Sequence, residues 1–449
     1  MSNAINVAKF GGTSVANFGA ISHCANVVKR NPETRVVVVS AAAGVTNFLV
    51  QLAFSPLSQA QIAEVCEQIK SIEYAILEQL DNKASVQPKL DDLLTEIEQL
   101  AHHEEILHRH DLKDALMSMG ERMSSLLCSE VFKQNGIEAL NFDVRKVLIT
   151  DDTYGEAVPN VELIKVRSDE VLAPDIKRHV IVTQGFVGAD ESGNTTTLGR
   201  GGSDFTAALL AEALNAKSCE IWTDVIGVYT TDPRLTPAAR PLPELSFEEA
   251  AEMATFGAKV LHPATMEPAL RRDIPVFVGS SREPEKGGTW IVRDCEHEPP
   301  YRAITRRREQ VMVTVKTPKM LYAQGYLEKV FSIIAKHKLS VDLVTTSEIA
   351  ISFTLDNPPN SVAERLNQRT IEELETMSEV TVEQGFDLVT VVGNHMQSQK
   401  GVPSRIFAAI ADYNLRMICF GANPHNMSFL VKAEDSAEIV SVLHNALFE

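Results

Sequence analysis

Over the first 295 residues, short runs rich in β-branched and apolar residues alternate with longer stretches of helical periodicity. The runs are Ile5–Phe10, Arg35–Ser40, Ala139–Val144, His179–Gly185, Glu220–Asp224 and Ile274–Gly279. Strands that are apolar on both faces must be covered on both sides. The pattern therefore predicts an α/β domain built on a mainly parallel sheet sandwiched by helices. Residues 60–135 interrupt the alternation with consecutive amphipathic helices, such as Leu90–Leu100 with Leu90, Leu93, Leu94, Ile97 and Leu100 on one face. This stretch reads as a helical insertion beside the sheet.

The last third carries an internal repeat. Sliding residues 313–355 by 76 positions matches 389–431 without a gap, with 11 of 43 positions identical. Val313/Val389, Gly325/Gly401, Phe331/Phe407, Ser352/Ser428 and Phe353/Phe429 are among the pairs. Each copy reads strand, glycine turn, helix, strand, strand, which suggests two ligand-sensing α+β modules over 311–385 and 386–449. Between the catalytic part and the repeat, 296–310 holds Pro299, Pro300 and the run Arg306-Arg307-Arg308, and reads as a solvated linker.

The net charge is −18, the wrong sign for a general nucleic-acid or membrane-surface binder. No apolar run reaches the roughly 18–20 residues that span a bilayer, and no secretory signal is visible. Six scattered cysteines, none within three residues of another, fit a reducing cytoplasm with unbridged thiols. His102, His103, His108 and His110 cluster without a cysteine or an HExxH partner, and read as a solvated helix face rather than a zinc site.

In an open α/β sheet ligands bind beyond the carboxyl ends of the strands. Those ends carry Lys9-Phe10-Gly11-Gly12-Thr13-Ser14, Ser40 to Asn47, Leu198-Gly199-Arg200-Gly201-Gly202-Ser203-Asp204 and Thr223-Asp224 followed by Gly227 to Arg234. Glycine lets backbone N–H groups approach an anion, so several such loops on one edge point to a phosphate-bearing ligand. There is no GxxxxGK[ST] and no GxGxxG after the first strand, which argues against a P-loop or dinucleotide site.

Val7 to Val15, Gly199 to Asp204, Trp222-Thr223-Asp224, Tyr229 to Arg234 and Phe256 to Pro263 together resemble the signatures of the aspartate kinases, members of the amino acid kinase family. The repeat resembles that family's tandem ACT domains, and Val341 to Glu348 resembles the lysine-sensitive, monofunctional type. Ile226 departs from the expected proline. The resemblance implies an amino-acid kinase fold over 1–295, and transfer of the ATP γ-phosphoryl group to the β-carboxylate of L-aspartate. Mg²⁺ would be carried by the ATP phosphates with no direct side-chain ligand. It implies that Lys9, Asp204 and Lys259 are catalytic, and that Ser40, Thr46, Glu121, Arg200, Gly201, Gly202 and Ser203 bind aspartate. ATP would be held by Lys9, Gly11, Gly12, Thr223, Asp224, Tyr229, Arg234, Lys259 and Val260. L-lysine would bind at Met320, Ala323, Tyr326, Leu327, Val341, Asp342, Ser347 and Glu348, in a homodimer or dimer of dimers joined through the repeats. Two competing expectations are a different amino acid kinase, such as one acting on N-acetylglutamate, and a non-catalytic amino-acid sensor on a kinase fold. The first lacks a tandem repeat; the second would not need Lys9, Arg200, Asp204 and Lys259 together.

Overall fold

The computed structural model describes residues 5–257, 263–295, 298–321, 323–355 and 366–448. Among these the chain forms two compact units. The first is centred on an eight-stranded sheet. Its strands are β1 (Asn6–Phe10), β2 (Thr34–Val39), β3 (Ala139–Phe142), β4 (Val180–Gln184), β7 (Ser218–Thr223), β8 (Glu244–Ser246), β9 (Val276–Ser280) and β10 (Gly288–Val292). The order is β3-β4-β2-β1-β7-β9-β10-β8. All neighbours are parallel except β9 and β10. β1 is wholly buried, its apolar Val7, Ala8 and Phe10 interleaved with a buried Asn6 and Lys9. Two short strands, β5 (Val187–Ala189) and β6 (Thr195–Thr197), form a separate antiparallel hairpin.

Five helices matter for the site: α1 (Phe18–Arg30), α2 (Val45–Phe54), α3 (Gln59–Leu77), α4 (Lys83–Ala101) and α5 (His110–Gln134). α3 to α5 are the expected helical insertion. They share a core with β1 and β2, in which Ile69, Leu77, Leu90, Leu116 and Met123 are fully buried. α3 starts at a capping box made by Ser58 and Gln61.

The second unit holds a six-stranded sheet of β11 (Ala303–Lys316), β12 (Val341–Thr346), β13 (Ala350–Leu355), β14 (Glu379–Val392), β15 (Leu415–Phe420) and β16 (Asn426–Lys432), in the order β12-β13-β11-β14-β16-β15. The repeat is reproduced in detail. Gly325 (φ 73°) and Gly401 (φ 86°) start the helices Tyr326–Lys336 and Val402–Ala409. The hydroxyls of Thr314 and Ser352 lie 2.9 Å apart, as do those of Thr390 and Ser428. The rings of Phe331 and Phe353 are 6.3 Å apart, those of Phe407 and Phe429 6.0 Å.

The expected linker, and with it the extent of the second module, requires correction. From Ala303 onward the presumed linker is strand. The first half of β11 (Ile304) lies in the core of the second module, and its second half (Val311, Val313, Val315) in the core of the first. β14 divides the opposite way, with Val380 and Val382 in the first core and Val389 and Val391 in the second. The charged run hid this because its side chains have partners on the protein. Arg307 pairs with Asp342 at 2.8 Å and Arg306 donates to Ser436 at 3.2 Å. The strand register also shifts between Arg307 and Gln310. A second correction concerns the expected 1–295 domain: residues 229–240 and 251–257 belong to the second unit. Thr230 accounts for part of this. Its carbonyl accepts from Ile304 N at 2.7 Å, and its hydroxyl lies 2.9 Å from Nε2 of the buried His444.

Candidate active site

The site forms where the carboxyl ends of β1, β2 and β4 meet α5 and the helix Gly202–Leu214. Lys9, the next-to-last residue of β1, is held between Val38 of β2 and Ile221 of β7. The loop after β1 is pinned by Gly11 N donating to Trp222 O (3.1 Å), and Ser40 N donates to Phe10 O (3.1 Å). A Cβ on Gly12 would fall 2.8 Å from the Ala41 carbonyl oxygen, so the loops after β1 and β2 can touch only because residue 12 is glycine. Gly201 (φ 76°) turns the chain into the helix that carries Asp204 in its first turn. Asp204 Oδ1 lies 2.6 Å from Lys9 Nζ, with both side chains largely buried.

Glu121 enters from α5. A Cβ on Gly120 would lie 2.6 Å from the Ala41 Cβ, and this close approach sets the helix against the loop after β2. Glu121 is buried at 6% exposure. Burial pushes its carboxyl up to about 8, against the pull of the Ala41 backbone N–H and the positive charge of Lys9. An open cavity of about 240 Å³ joins these groups. Lys9, Asp204 and Glu121 line it with Ser40, Thr46, Gly201, Gly202 and Ser203. A cation, two carboxylates, hydroxyls and a helix N-terminus around one small cavity suit a zwitterionic ligand bearing a further anionic group.

Eight of the residues expected from sequence thus surround a single cavity. Arg200 is exposed and sits in the same glycine loop, but outside the lining. Thr223 ends β7 and Asp224 follows it; Thr223 O accepts from Ser281 N at 2.9 Å. Tyr229 and Arg234 belong to the second unit, and Arg234 is exposed and paired with Asp232 at 2.7 Å. Lys259 and Val260 lie outside the described residues. Of the expected effector residues, Tyr326 is in the core of the first module with Met320 packed against it, and Val341 and Asp342 are half-buried. Leu327, Ala323, Ser347 and Glu348 are exposed. Sequence reasoning missed Met117, Phe186 and Gly199 in the lining. Met117 stands one turn before Glu121, a spacing that could have revealed it. Phe186 has a φ of 67°, which nothing in its sequence neighbourhood announces.

Comparison with known proteins places the chain in a family. The amino acid kinase family profile matches residues 4–280, and an ACT domain profile matches 389–447. The chain belongs to the amino acid kinase family. Within that family it falls among the aspartokinases, being 46% identical to the lysine-sensitive aspartokinase 3 of Escherichia coli over 99% of both chains. It superposes on the crystal structure of E. coli aspartokinase III in complex with aspartate and ADP with a TM-score of 0.89, at 45% identity, covering 99% of this chain and 100% of that one. The lysine and aspartate complex of the same enzyme gives 0.86, at 46% identity and the same coverage.

Proposed function

We propose that the chain is an aspartate kinase that moves the ATP γ-phosphoryl group to the β-carboxylate of L-aspartate, giving 4-phospho-L-aspartate and ADP, under feedback inhibition by lysine. The observation that carries this reading is the Lys9–Asp204 pair at 2.6 Å in a cavity it shares with Glu121. The attacking carboxylate, with a pKa of about 3.9, is ionised at neutral pH, so no general base is required. The barrier is the approach of one anion to another, and catalysis rests on positioning and charge neutralisation. Glu121 receives the substrate ammonium. Arg200, three residues beyond β6, takes the α-carboxylate in its planar fork. Ser40, Thr46 and Ser203, with the backbone at Gly201 and Gly202, complete the aspartate contacts. Lys9 faces the transferred phosphoryl group, held in place by Asp204.

The nucleotide assignments (Gly11, Gly12, Thr223, Asp224, Tyr229, Arg234, Lys259 and Val260) rest on the family resemblance. Mg²⁺ would be carried by the nucleotide's phosphates, as the family resemblance implies. Bound there, it would neutralise phosphate charge. Lysine would bind the first ACT module through Asp342 and its neighbours, in a homodimer or dimer of dimers. No helix among the described residues is long and apolar enough to cross a membrane, and we place the enzyme in the cytoplasm. The test is ADP release with aspartate, glutamate or N-acetylglutamate, with and without millimolar lysine. Aspartate-dependent, lysine-suppressed turnover is expected; turnover with only the other two acceptors would overturn the substrate.

A further inference from the structure

Asp114 lies on α5, seven positions or about two turns before Glu121, and is 3% exposed. Its Oδ2 accepts from two backbone donors on separate segments, Gly155 N at 2.9 Å and Thr197 N at 2.7 Å. Those segments are themselves joined, since Ala157 N donates to Thr197 O at 2.9 Å. Thr197 is the last residue of β6, two residues before Gly199 and three before Arg200. Gly199 (φ 73°) closes over the same turn, where a Cβ would lie 3.2 Å from the Gly155 carbonyl oxygen. One buried carboxylate therefore ties the base of the Gly199–Ser203 loop to the helix that presents Glu121.

The geometry points to Asp114 as a positioning residue that sets the separation between the ammonium reader on α5 and the α-carboxylate reader on the Arg200 loop. An α-amino acid carries both groups on one carbon, so two readers on different elements serve only if those elements are held in register. A buried carboxylate suits the task. A charged acceptor makes shorter and stronger bonds than a neutral one, and a fixed helix leaves the loop little freedom. Burial raises the Asp114 carboxyl, and the bonds from Gly155 and Thr197 oppose the rise.

This inference rests on the assignment of Glu121 and Arg200 to aspartate, so the experiment includes a control for that assignment. Steady-state kinetics would be measured on the full-length chain for Asp114→Ala, Asp114→Glu, Asp114→Asn and Arg200→Ala. Asp114→Ala removes the acceptor. Asp114→Glu keeps the charge but displaces it by a methylene. Both should raise the aspartate KM by about ten- to a hundredfold, with the ATP KM within about twofold of the parent. Asp114→Asn can place its carbonyl oxygen at the same two donors and should restore most of the lost affinity. If Asp114→Ala does not fold, Asp114→Glu still gives the reading. An aspartate KM within twofold of the parent in a folded Ala or Glu variant would overturn the inference, as would equal rises in both KM values. An unchanged aspartate KM in Arg200→Ala would instead overturn the site assignment, and this inference with it.

Discussion

Replacing Lys9 by alanine removes the one cation that lines the cavity among the described residues and leaves Asp204 buried without its partner. Loss of a fixed charge facing a transferring phosphoryl group should lower kcat by about two to three orders of magnitude, read as aspartate-dependent ADP release, while circular dichroism shows the fold intact. Unchanged turnover would remove Lys9 from the chemistry. Glu121 makes a prediction about pH. With its carboxyl pushed up to about 8, it is mostly protonated in the empty site at neutral pH. An arriving ammonium favours the ionised form, so binding releases a proton. Aspartate affinity should therefore strengthen as pH rises from about 6.5 towards 8, and level off above that. Glu121→Gln should bind weakly and lose the slope. Calorimetry in two buffers of different ionisation enthalpy would detect the released proton, and its absence would contradict the assignment. At this scale the sequence was most informative where several small motifs converged: Lys9, Asp204 and the glycines meet as expected. It was silent where function depends on backbone conformation, as at Phe186, or on a carboxylate serving distant backbone donors, as at Asp114. Neither leaves a pattern along the chain.

At the scale of elements, the helical insertion contains a carboxyl that does nothing evident for the site. Glu73 of α3 is fully buried, and neither of its oxygens has a hydrogen-bond partner. Burial pushes it up to about 8. A carboxyl whose folded pKa lies above its unfolded value of about 4.3 holds more protons folded than unfolded across that interval. Stability should then fall as pH rises from about 4.5 to 8, by at most about 1.4 kcal/mol per pH unit from this one group. Glu73→Met should stabilise the chain, by more at pH 8 than at pH 6, in urea unfolding followed by far-UV circular dichroism. An equal gain at both values would mean that the carboxyl is not proton-linked. The elements of the first unit were largely legible because buried parallel strands and amphipathic helices have distinct periods. β5, β6, β8 and β10 were not. They are three to five residues long, and β10 runs antiparallel at the far side of the sheet, where no crossover helix marks it.

For the molecule as a whole, the repeat predicts regulation. Asp342, expected to meet an effector ammonium, is engaged by Arg307 at 2.8 Å. Lysine would have to share or displace that guanidinium, so Asp342→Asn should raise the lysine concentration for half-inhibition about tenfold, the effect of losing one charge-assisted contact. A lysine titration of ADP release would check it, and an unchanged midpoint would exclude Asp342 from the effector site. The repeat was legible at the 76-residue offset because its core and turn residues recur. The second module's use of the first half of β11 was not, since a long strand serving two cores looks like any other strand in sequence. That sharing has a genetic corollary. β11 and β14 each donate one half to either module, yet a single cut treats the two unequally: a fragment over 311–385 keeps every residue of the first core, while one beginning at residue 386 would lack Ile304. The second module can therefore be transplanted only with the first half of β11, whereas the first is carried by one continuous segment.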